Sequence, residues 1–466
     1  MQVILKGDIV YSQDRTSLSQ WKDAYVVCSG GRSMGVFRSF SEIPRAYKAF
    51  PVEDYSGRLI VPALYDLHMH APQYQFRGLG MDLELLDWLN AHAFPNEARY
   101  RDTAFARQAY GMFVEDLRRG GTARCALFAT LHTDATLQLM ELLEQSGLRA
   151  CVGKVNMDRN APDELRESTE ESIRETKRWL EAFSVRGFRH VAPILTPRFI
   201  PSCTDGLMRA LGELTGAKDA AARAAALAET DVYADAAGQQ EKQTGQKEGA
   251  PHDTQAPRLP LQSHLSENQA EIAWVRELCP WSSSYGDAYD KLGCFGENGA
   301  PVIMAHCVWS PVSERELMKQ RGVYIAHCPA SNTDIASGIA PIRRYLEEGQ
   351  RIGLGTDIAG GFSRSIFRAM ADAIQVSKLY WRLCDQTAKS LTLPEVFYLG
   401  TKGGGSFFGR CGSLEAGYAF DALVLDESQL RTPLKNLTLE ERLERFVYLA
   451  DERDVLHKFV EGERLF

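Results

Sequence analysis

The middle of the chain repeats one pattern of hydrophobic and polar positions: a short apolar run, a polar turn and a segment of helical period. Eight apolar runs are candidate strands, and their interiors are apolar on both faces, as is typical of parallel strands covered by helices. Eight strand–helix units in succession predict a parallel (β/α)8 barrel. The candidate strands are Leu59–His70, Ala123–Ala129, Ala150–Met157, His190–Thr196, Pro260–His264, Val302–His306, Val323–His327 and Ile352–Asp357.

Helices are predicted after most of these strands. Three long stretches have helical period, namely Thr103–Arg119, Ala135–Gln145 and Glu164–Phe183. Capping-box spacing, in which Ser or Thr stands three residues before Glu, indicates two further helix starts. They lie at Ser313-Glu-Arg-Glu316 and Thr392-Leu-Pro-Glu395.

The two ends of the chain carry short strand patterns outside the barrel. Neither residues 1–57 nor residues 410–466 can bury much surface alone. We therefore expect them to pair into one small β-sandwich domain that flanks a barrel at 58–409. Their candidate strands are Val3–Leu5, Ala24–Cys28, Gly35–Phe37, Ala422–Asp426 and Lys458–Glu463.

The barrel span is longer than the roughly 250 residues that such a barrel needs. Much of the excess lies at 217–256, which is Ala-rich at first and then polar, with little apolar periodicity. This composition indicates a solvated insertion. Because it follows the fourth helix and precedes the fifth strand, it is expected on the face opposite the chemistry, and we predict that it is not a catalytic lid.

Composition and charge exclude several classes of protein. The 466 residues are 44% hydrophobic and 24% charged, which is ordinary for a globular enzyme. A net charge of −8 without a Lys/Arg block argues against binding nucleic acid. No apolar run is long enough for a membrane span, and the N-terminus lacks a signal-peptide pattern. The ten cysteines are scattered without a CxxC pair, so we expect reduced thiols in a cytoplasmic protein.

Chemistry-bearing residues gather at the predicted carboxyl ends of the strands, which face the active-site mouth of a barrel. The first strand closes with His68-Met69-His70, whose imidazoles share one strand face because they stand two residues apart. Three further strands end in histidine and the last ends in aspartate. These residues are His264, His306, His327 and Asp357. Their convergence predicts a metal site.

Three imidazoles and one carboxylate suit a borderline-soft divalent ion, above all Zn²⁺. Zinc lowers the pKa of a bound water to about 7 and so makes hydroxide available at neutral pH. Asp357 can accept the proton of that water, and Glu267 is placed to shuttle protons. We assign His306 an orienting role, and we expect His327 to be structural or hydrogen-bonded to the loop after strand seven. The predicted ligands are His68, His70, His264 and Asp357.

The order of these motifs resembles the amidohydrolase superfamily. The segment Gly412–Asp421 is similar to the motif of that family's C-terminal β domain, although Phe420-Asp421 stands where Ala-Asp is usual. Within the superfamily the chain resembles the guanine deaminases over nearly its whole length, except at 217–256. The segments that carry this resemblance are His70–Phe76, Leu85–Leu89, Phe94–Tyr100, Phe128–Asp134, Val152–Asp158, Thr196–Phe199, Gln262–Asn268, Ala326–Asn332 and Leu354–Gly361.

The resemblance implies zinc-dependent hydrolytic deamination of guanine to xanthine and ammonia, in purine catabolism or salvage, by a homodimer. It also implies that Gln73 and Arg198 hydrogen-bond the edge of the guanine ring, with Arg198 near the carbonyl oxygen, and that Phe199 stacks on the purine. A planar polar heterocycle indeed calls for an aromatic face and a few fixed donors. Glu267 and Asp357 would contact the substrate while they move its protons.

Binuclear relatives bridge two ions with a carboxylated lysine on strand four. Here strand four, predicted within Val191–Pro197, contains no lysine. Lys154 on strand three would be a candidate only if the strand count were off by one. The sequence therefore predicts one Zn²⁺ per subunit.

Two alternatives stay open. A deaminase or hydrolase of the same superfamily that acts on another purine, a pterin or a triazine would share the metal chemistry and differ at Gln73, Arg198 and Phe199. A non-catalytic binding protein could use the same barrel, but such relatives usually lose metal ligands, and this chain has the full set.

Overall fold

The computed structural model describes residues 2–216, 258–297 and 299–466, and its centre is a parallel barrel of eight strands. Each barrel strand is followed by one or more helices, so the predicted (β/α)8 architecture is confirmed. In chain order the barrel strands are Leu64–His70, Thr122–Phe128, Arg149–Gly153, Val191–Pro193, Leu261–Leu265, Val302–His306, Tyr324–His327 and Arg351–Leu354.

Two four-stranded halves make up the barrel, and backbone hydrogen bonds close it on both sides. Between the fourth and fifth strands, Leu195 donates to the carbonyl of Pro260 (2.8 Å) and accepts from Gln262 (2.9 Å). Between the eighth and first strands, Asp357 donates to the carbonyl of His68 (2.8 Å). This last bond ties two predicted metal ligands together through the backbone.

The predicted strand Leu59–His70 is wrong as one element. Residues up to Pro62 belong to strand Val52–Pro62 of a separate sheet, and the first barrel strand begins at Leu64. Its apolar pattern is continuous because both sheets are buried, so hydrophobicity alone does not mark the change of partner. Pro62 also lacks the backbone N–H that a continuing ladder would need.

Two other predicted strands are interrupted. The region 190–196 forms Val191–Pro193 and, after a break, the two-residue strand Thr196–Pro197. The region 150–157 forms Arg149–Gly153 and then Val155–Asn156, which pairs with Thr196–Pro197. These short pieces extend the third and fourth barrel strands towards the active-site mouth.

The two ends of the chain pair in one seven-stranded sheet beside the barrel, as expected for a small β domain. Strand Val52–Pro62 runs parallel to Gln2–Ser12 and antiparallel to Ala422–Leu425, so it joins the N- and C-terminal segments. It crosses the predicted boundary at residue 57, and the division into three segments stays a prediction. In spatial order the strands are Glu463–Arg464, Val455–Val460, Ala422–Leu425, Val52–Pro62, Gln2–Ser12, Leu18–Ser29 and Arg32–Phe37.

The predicted strand Lys458–Glu463 is a hairpin instead. Glu461 and Gly462 both have positive φ (47° and 78°), which is the geometry of a tight two-residue turn between Val455–Val460 and Glu463–Arg464.

The barrel helices largely follow the predicted period. Thr103–Arg119 is a helix over its predicted length, and Thr133–Ser146 contains the predicted Ala135–Gln145. The predicted Glu164–Phe183 is wrong at its start: the helix is Thr169–Arg186, because the Ser168 side chain caps it. The other α-helices of the described residues are Leu85–Trp88, Phe94–Ala98, Asp205–Leu214, Gln269–Leu278, Tyr285–Lys291, Val312–Arg321, Pro329–Asp334, Ile342–Glu347, Ile366–Leu379, Leu393–Tyr398 and Leu439–Leu449.

One of the two predicted capping boxes is present. Thr392 and Glu395 cap Leu393–Tyr398 reciprocally. The box at Ser313–Glu316 is wrong, because Pro311 precedes the helix and Ser313 already lies inside its first turn. Glu314 is buried there instead, where it accepts hydrogen bonds from the Ser266 hydroxyl (2.7 Å) and the Gly286 backbone (2.6 Å).

The predicted insertion at 217–256 lies outside the described residues, so the prediction that it is no lid is untested. Of the residues that flank it, Leu259 donates a backbone hydrogen bond to Thr215 (2.9 Å), two residues before the fifth barrel strand begins. Among the described residues, no helix has the length and apolar composition needed to cross a membrane.

Candidate metal centre and active site

The first barrel strand turns both of its histidines towards the barrel interior by means of a β-bulge. Tyr65 and Leu67 belong to the inner core, whereas Met69 belongs to the outer core between barrel and helices. Between Asp66 and Met69 the strand has one residue more than its neighbour, which shifts the register. The alternation therefore reverses, and His68 can follow Leu67 on the inner side.

Four predicted ligands converge at the carboxyl ends of the first, fifth and eighth strands. His70 Nε2 lies 3.2 Å from His264 Nε2. Asp357 Oδ1 lies 3.1 Å from His68 Nε2 and 3.4 Å from His70 Nε2. All four residues are buried. Ligands about 2.0–2.1 Å from a tetrahedral zinc ion lie about 3.3 Å from one another, so these donor atoms are spaced as they would be around one ion.

The protonation states of these residues also fit a metal. Burial lowers the pKa of His68, His70 and His264, which keeps their imidazoles neutral and able to coordinate. Burial alone would raise the pKa of Asp357, but the histidines that face it, above all His68, outweigh burial and hold that pKa below its ordinary value. Among the described residues, His68 Nε2 is buried and makes no well-aligned hydrogen bond, although Asp357 Oδ1 lies 3.1 Å away, as expected of two donor atoms that face one ion.

Hydrogen bonds behind the ligands fix their orientation. His264 donates from Nδ1 to the Arg198 carbonyl (2.6 Å), which leaves Nε2 as the coordinating atom. Asp66 accepts from the His68 backbone (3.1 Å) and from the Thr356 hydroxyl (2.5 Å), so one buried carboxylate braces the first strand against the eighth. Asp66 was not predicted as part of the site, because its role depends on the closure of the barrel.

His306 and Glu267 face the same centre from the sixth and fifth strands. His306 Nε2 lies 3.4 Å from Glu267 Oε2 and 3.8 Å from Asp357 Oδ2, while its Nδ1 donates to Asn332 Oδ1 (2.8 Å). Burial alone would lower the pKa of His306, but the carboxylates of Glu267 and Asp357 outweigh it and raise the pKa. Burial raises the pKa of Glu267, whose Oε1 accepts from the Ser337 hydroxyl (2.9 Å). Because its pKa is raised, the Glu267 carboxyl group is suited to hold and release a proton.

Lys154 and His327, which the sequence analysis also considered, are not part of the donor cluster. Lys154 follows the third strand and forms a buried ion pair with Glu167 (2.8 Å). His327 is buried, and among the described residues neither of its ring nitrogens has a hydrogen-bond partner. Burial lowers the pKa of His327 to about 3, so it is neutral.

A cavity with about 430 Å³ of empty space, part of it open to solvent, lies against the donor cluster. All of the predicted site residues line it except His68, which is fully buried and whose ring contacts those of His70 and His264. The apolar walls come from Leu85, Trp88, Leu89 and Ile335, and Leu85 donates a backbone hydrogen bond to Ile335 (3.1 Å). The predicted residues that line the cavity are His70, Gln73, Arg198, Phe199, His264, Glu267, His306 and Asp357.

One side of the cavity is polar and rigid. Gln73 donates from Nε2 to Glu97 Oε1 (2.8 Å) and accepts at Oε1 from the Ala359 backbone (3.0 Å). Arg198 donates to both oxygens of the same Glu97 (2.7 and 3.1 Å). Glu97 was missed by sequence reasoning, and only its place in the segment Phe94–Tyr100 pointed to it.

Together, a buried cluster of metal-binding donors, proton-carrying side chains and a polar slot define a metal-dependent hydrolase. The chain belongs to the amidohydrolase family, whose family model matches residues 59–465. The predicted resemblance to guanine deaminases is also confirmed. The chain is 36% identical over 420 residues to the guanine deaminase of Dictyostelium discoideum. The aligned region covers 89% of this chain and 84% of the relative. The chain is 30% identical over 424 residues to the guanine deaminase of Escherichia coli, with coverage of 89% and 84%.

A solved structure agrees with these relatives. The guanine deaminase from C. acetobutylicum, with guanine bound in its active site, is 40% identical and superposes with a TM-score of 0.87 over 100% of both chains.

Proposed function

We propose that the chain catalyses the hydrolytic deamination of guanine to xanthine and ammonia. The observation that carries this proposal is that the donor cluster and the polar side formed by Gln73 and Arg198 line one cavity. An aromatic side chain, Phe199, beside a few fixed polar groups suits a small planar ligand. The guanine deaminase relatives and the guanine-bound neighbour support the same substrate.

His68, His70, His264 and Asp357 would hold one Zn²⁺, and when bound the ion would activate a water molecule near neutral pH. Asp357 would accept one proton from the attacking water as a C–O bond forms at the ring carbon that carries the exocyclic amine. Glu267 would protonate the neighbouring ring nitrogen and then, as a carboxylate, take the remaining proton of the added oxygen while the carbonyl forms. It would pass this proton to the amine as the C–N bond breaks, so that ammonia leaves, and the proton held by Asp357 would return to Glu267. His306 orients the attacking oxygen, because Asn332 fixes its ring.

Three cavity residues recognise the substrate in this proposal. Gln73 and Arg198 hydrogen-bond the ring edge, with Arg198 at the carbonyl oxygen, and Phe199 stacks on the purine face. Their contacts with Glu97 and the Ala359 backbone hold these donors in place before the substrate arrives.

The proposal extends to one zinc ion per subunit, a homodimer, a cytoplasmic location and a place in purine catabolism or salvage. Lys154 forms an ion pair with Glu167 and so does not bridge two metal ions, which supports a single ion. The dimer rests on the family resemblance alone.

Ammonia release from a panel of guanine, pterins and aminotriazines tests the substrate. We expect guanine to have the highest kcat/KM by at least tenfold, because its ring edge matches the donors of Gln73 and Arg198. Bound zinc is measured in the same sample. A faster pterin or triazine would replace guanine as the substrate, and zinc-loaded protein that is inactive on the whole panel would favour a binding protein.

A further inference from the structure

Glu97 lies behind the polar side of the cavity and contacts both residues that are proposed to recognise the guanine edge. It is 2% exposed and lies on the short helix Phe94–Ala98. Its Oε1 accepts from Gln73 Nε2 (2.8 Å) and Arg198 Nη2 (3.1 Å), and its Oε2 accepts from Arg198 Nη1 (2.7 Å). One carboxylate thus joins two elements that are far apart in the chain.

The ion pair with Glu97 fixes the orientation of the Arg198 guanidinium and compensates its charge. A two-pronged contact fixes the plane of the guanidinium, which also lies over the Phe94 ring at 5.2 Å from its centroid. The Glu97 charge compensates that of Arg198, which is buried beside a proposed divalent cation. Arg198 is therefore held as a directional hydrogen-bond donor rather than as a free positive charge.

Glu97 also fixes the amide of Gln73. Because Glu97 needs a donor and the Ala359 N–H needs an acceptor, only one of the two amide orientations satisfies both. The remaining hydrogen and lone pair of Gln73 then point in set directions. The pattern of donors and acceptors on this side of the cavity depends on Glu97 as well as on the two side chains that it holds.

We propose that Glu97 is a positioning residue that sets the preference for a purine with a carbonyl oxygen on the edge away from the reacting amine. The inference rests on the proposed function. An oriented, charge-compensated Arg198 binds a ring that has a carbonyl oxygen on that edge more tightly. A ring without this oxygen leaves the buried donor unpaired, which costs binding free energy. Without Glu97, Arg198 loses its fixed direction and the distinction between such rings weakens.

The test is Glu97→Gln, measured on guanine and on 2-aminopurine, which carries the same reacting amine but no carbonyl oxygen. In the variant the new amide nitrogen faces Arg198 in either orientation, and in one of them Gln73 as well, and both of these side chains present donors there. We expect kcat/KM for guanine to fall about 10- to 100-fold, mainly through KM, because a hydrogen bond to a charged group has this magnitude. For 2-aminopurine, measured in single turnover with enzyme in excess, we expect less than a threefold change.

The matched control is Glu395→Gln. Glu395 is also buried and pairs with an arginine, Arg343, but it lies outside the cavity. We expect this variant to lower the melting temperature and leave the ratio of the two kcat/KM values unchanged. Glu97→Asp, which keeps the charge, should recover part of the preference and carries the test if Glu97→Gln does not fold.

Failure of the positioning role and failure of the proposed function give different results. Parallel losses on guanine and 2-aminopurine, or an unchanged ratio in both Glu97 variants, would overturn the positioning role while leaving the proposed function intact. A wild-type enzyme that does not deaminate guanine would instead overturn the proposed function, and the inference with it.

Discussion

Replacing Asp421 with asparagine should weaken the join between the barrel and the terminal sheet. Asp421 is fully buried and accepts from Arg124 Nε (2.7 Å), the Tyr65 hydroxyl (2.8 Å) and the Glu461 backbone (2.8 Å). Tyr65 and Arg124 lie on the first two barrel strands, whereas Glu461 lies in a hairpin of the terminal sheet. One carboxylate therefore connects the two parts of the molecule.

The expected loss follows from these contacts. Breaking a buried ion pair by removing one partner costs about 3–5 kcal/mol. Arg124 keeps a second partner in Glu461 Oε1 (3.0 Å), so we expect a value near the lower end, about 3 kcal/mol. With about 2.1 cal/mol/K of unfolding entropy per residue over 466 residues, each kcal/mol shifts the melting temperature by about 1 °C. The variant should melt about 3 °C lower than wild type.

Differential scanning calorimetry measures this shift, with Asp426→Asn as the control. Asp426 pairs with Arg58 at the surface of the same sheet, where an ion pair contributes at most about 1 kcal/mol. Burial alone would raise the pKa of Asp421, but Arg124 outweighs it and lowers that pKa. The stabilisation is thus present above the unfolded pKa of about 3.9 and is lost as the pH falls below it. A melting temperature at pH 7 equal to that of Asp426→Asn would refute this account.

Two further predictions concern catalysis and pH. Glu267→Gln should keep its bound zinc, because Glu267 is not among the proposed ligands, and lose about 10²- to 10⁴-fold in kcat on guanine; full activity would remove Glu267 from the mechanism. Burial lowers the pKa of Lys458 to about 7, so between pH 7 and about 10.4 the unfolded chain holds a proton that the folded chain has lost. The melting temperature of wild type minus that of Lys458→Met should therefore rise from pH 7 to pH 10, and a flat difference would contradict the shift.

The barrel and the grouping of the candidate ligands were predictable because strand ends in a parallel barrel meet at one face, wherever they lie in the chain. His68, His264 and Asp357 could thus be grouped before any distance was known, and the structure brings their side chains together. The β-bulge between Asp66 and Met69 could not be predicted. It has no hydrophobic signature, since every residue of that strand is buried.

The residues that brace the site were harder to predict than those that form it. Glu97 and Asp66 are ordinary carboxylates in the sequence, and their importance comes from partners on distant elements. The false capping box at Ser313 has the same origin: local spacing fits a cap, but Pro311 starts the helix earlier and Glu314 has partners on other elements. Local patterns predict local structure, whereas these contacts depend on tertiary packing.

The central claim is that one zinc ion, held by this donor cluster, supports guanine deamination. The most direct measurement is kcat on guanine as metal-depleted protein is titrated with Zn²⁺, with the bound ion quantified by elemental analysis. The spacing of the four donors predicts activity that rises in proportion to bound zinc and saturates at one ion per chain. Full activity in the metal-depleted protein, or saturation only at two ions per chain, would contradict the account.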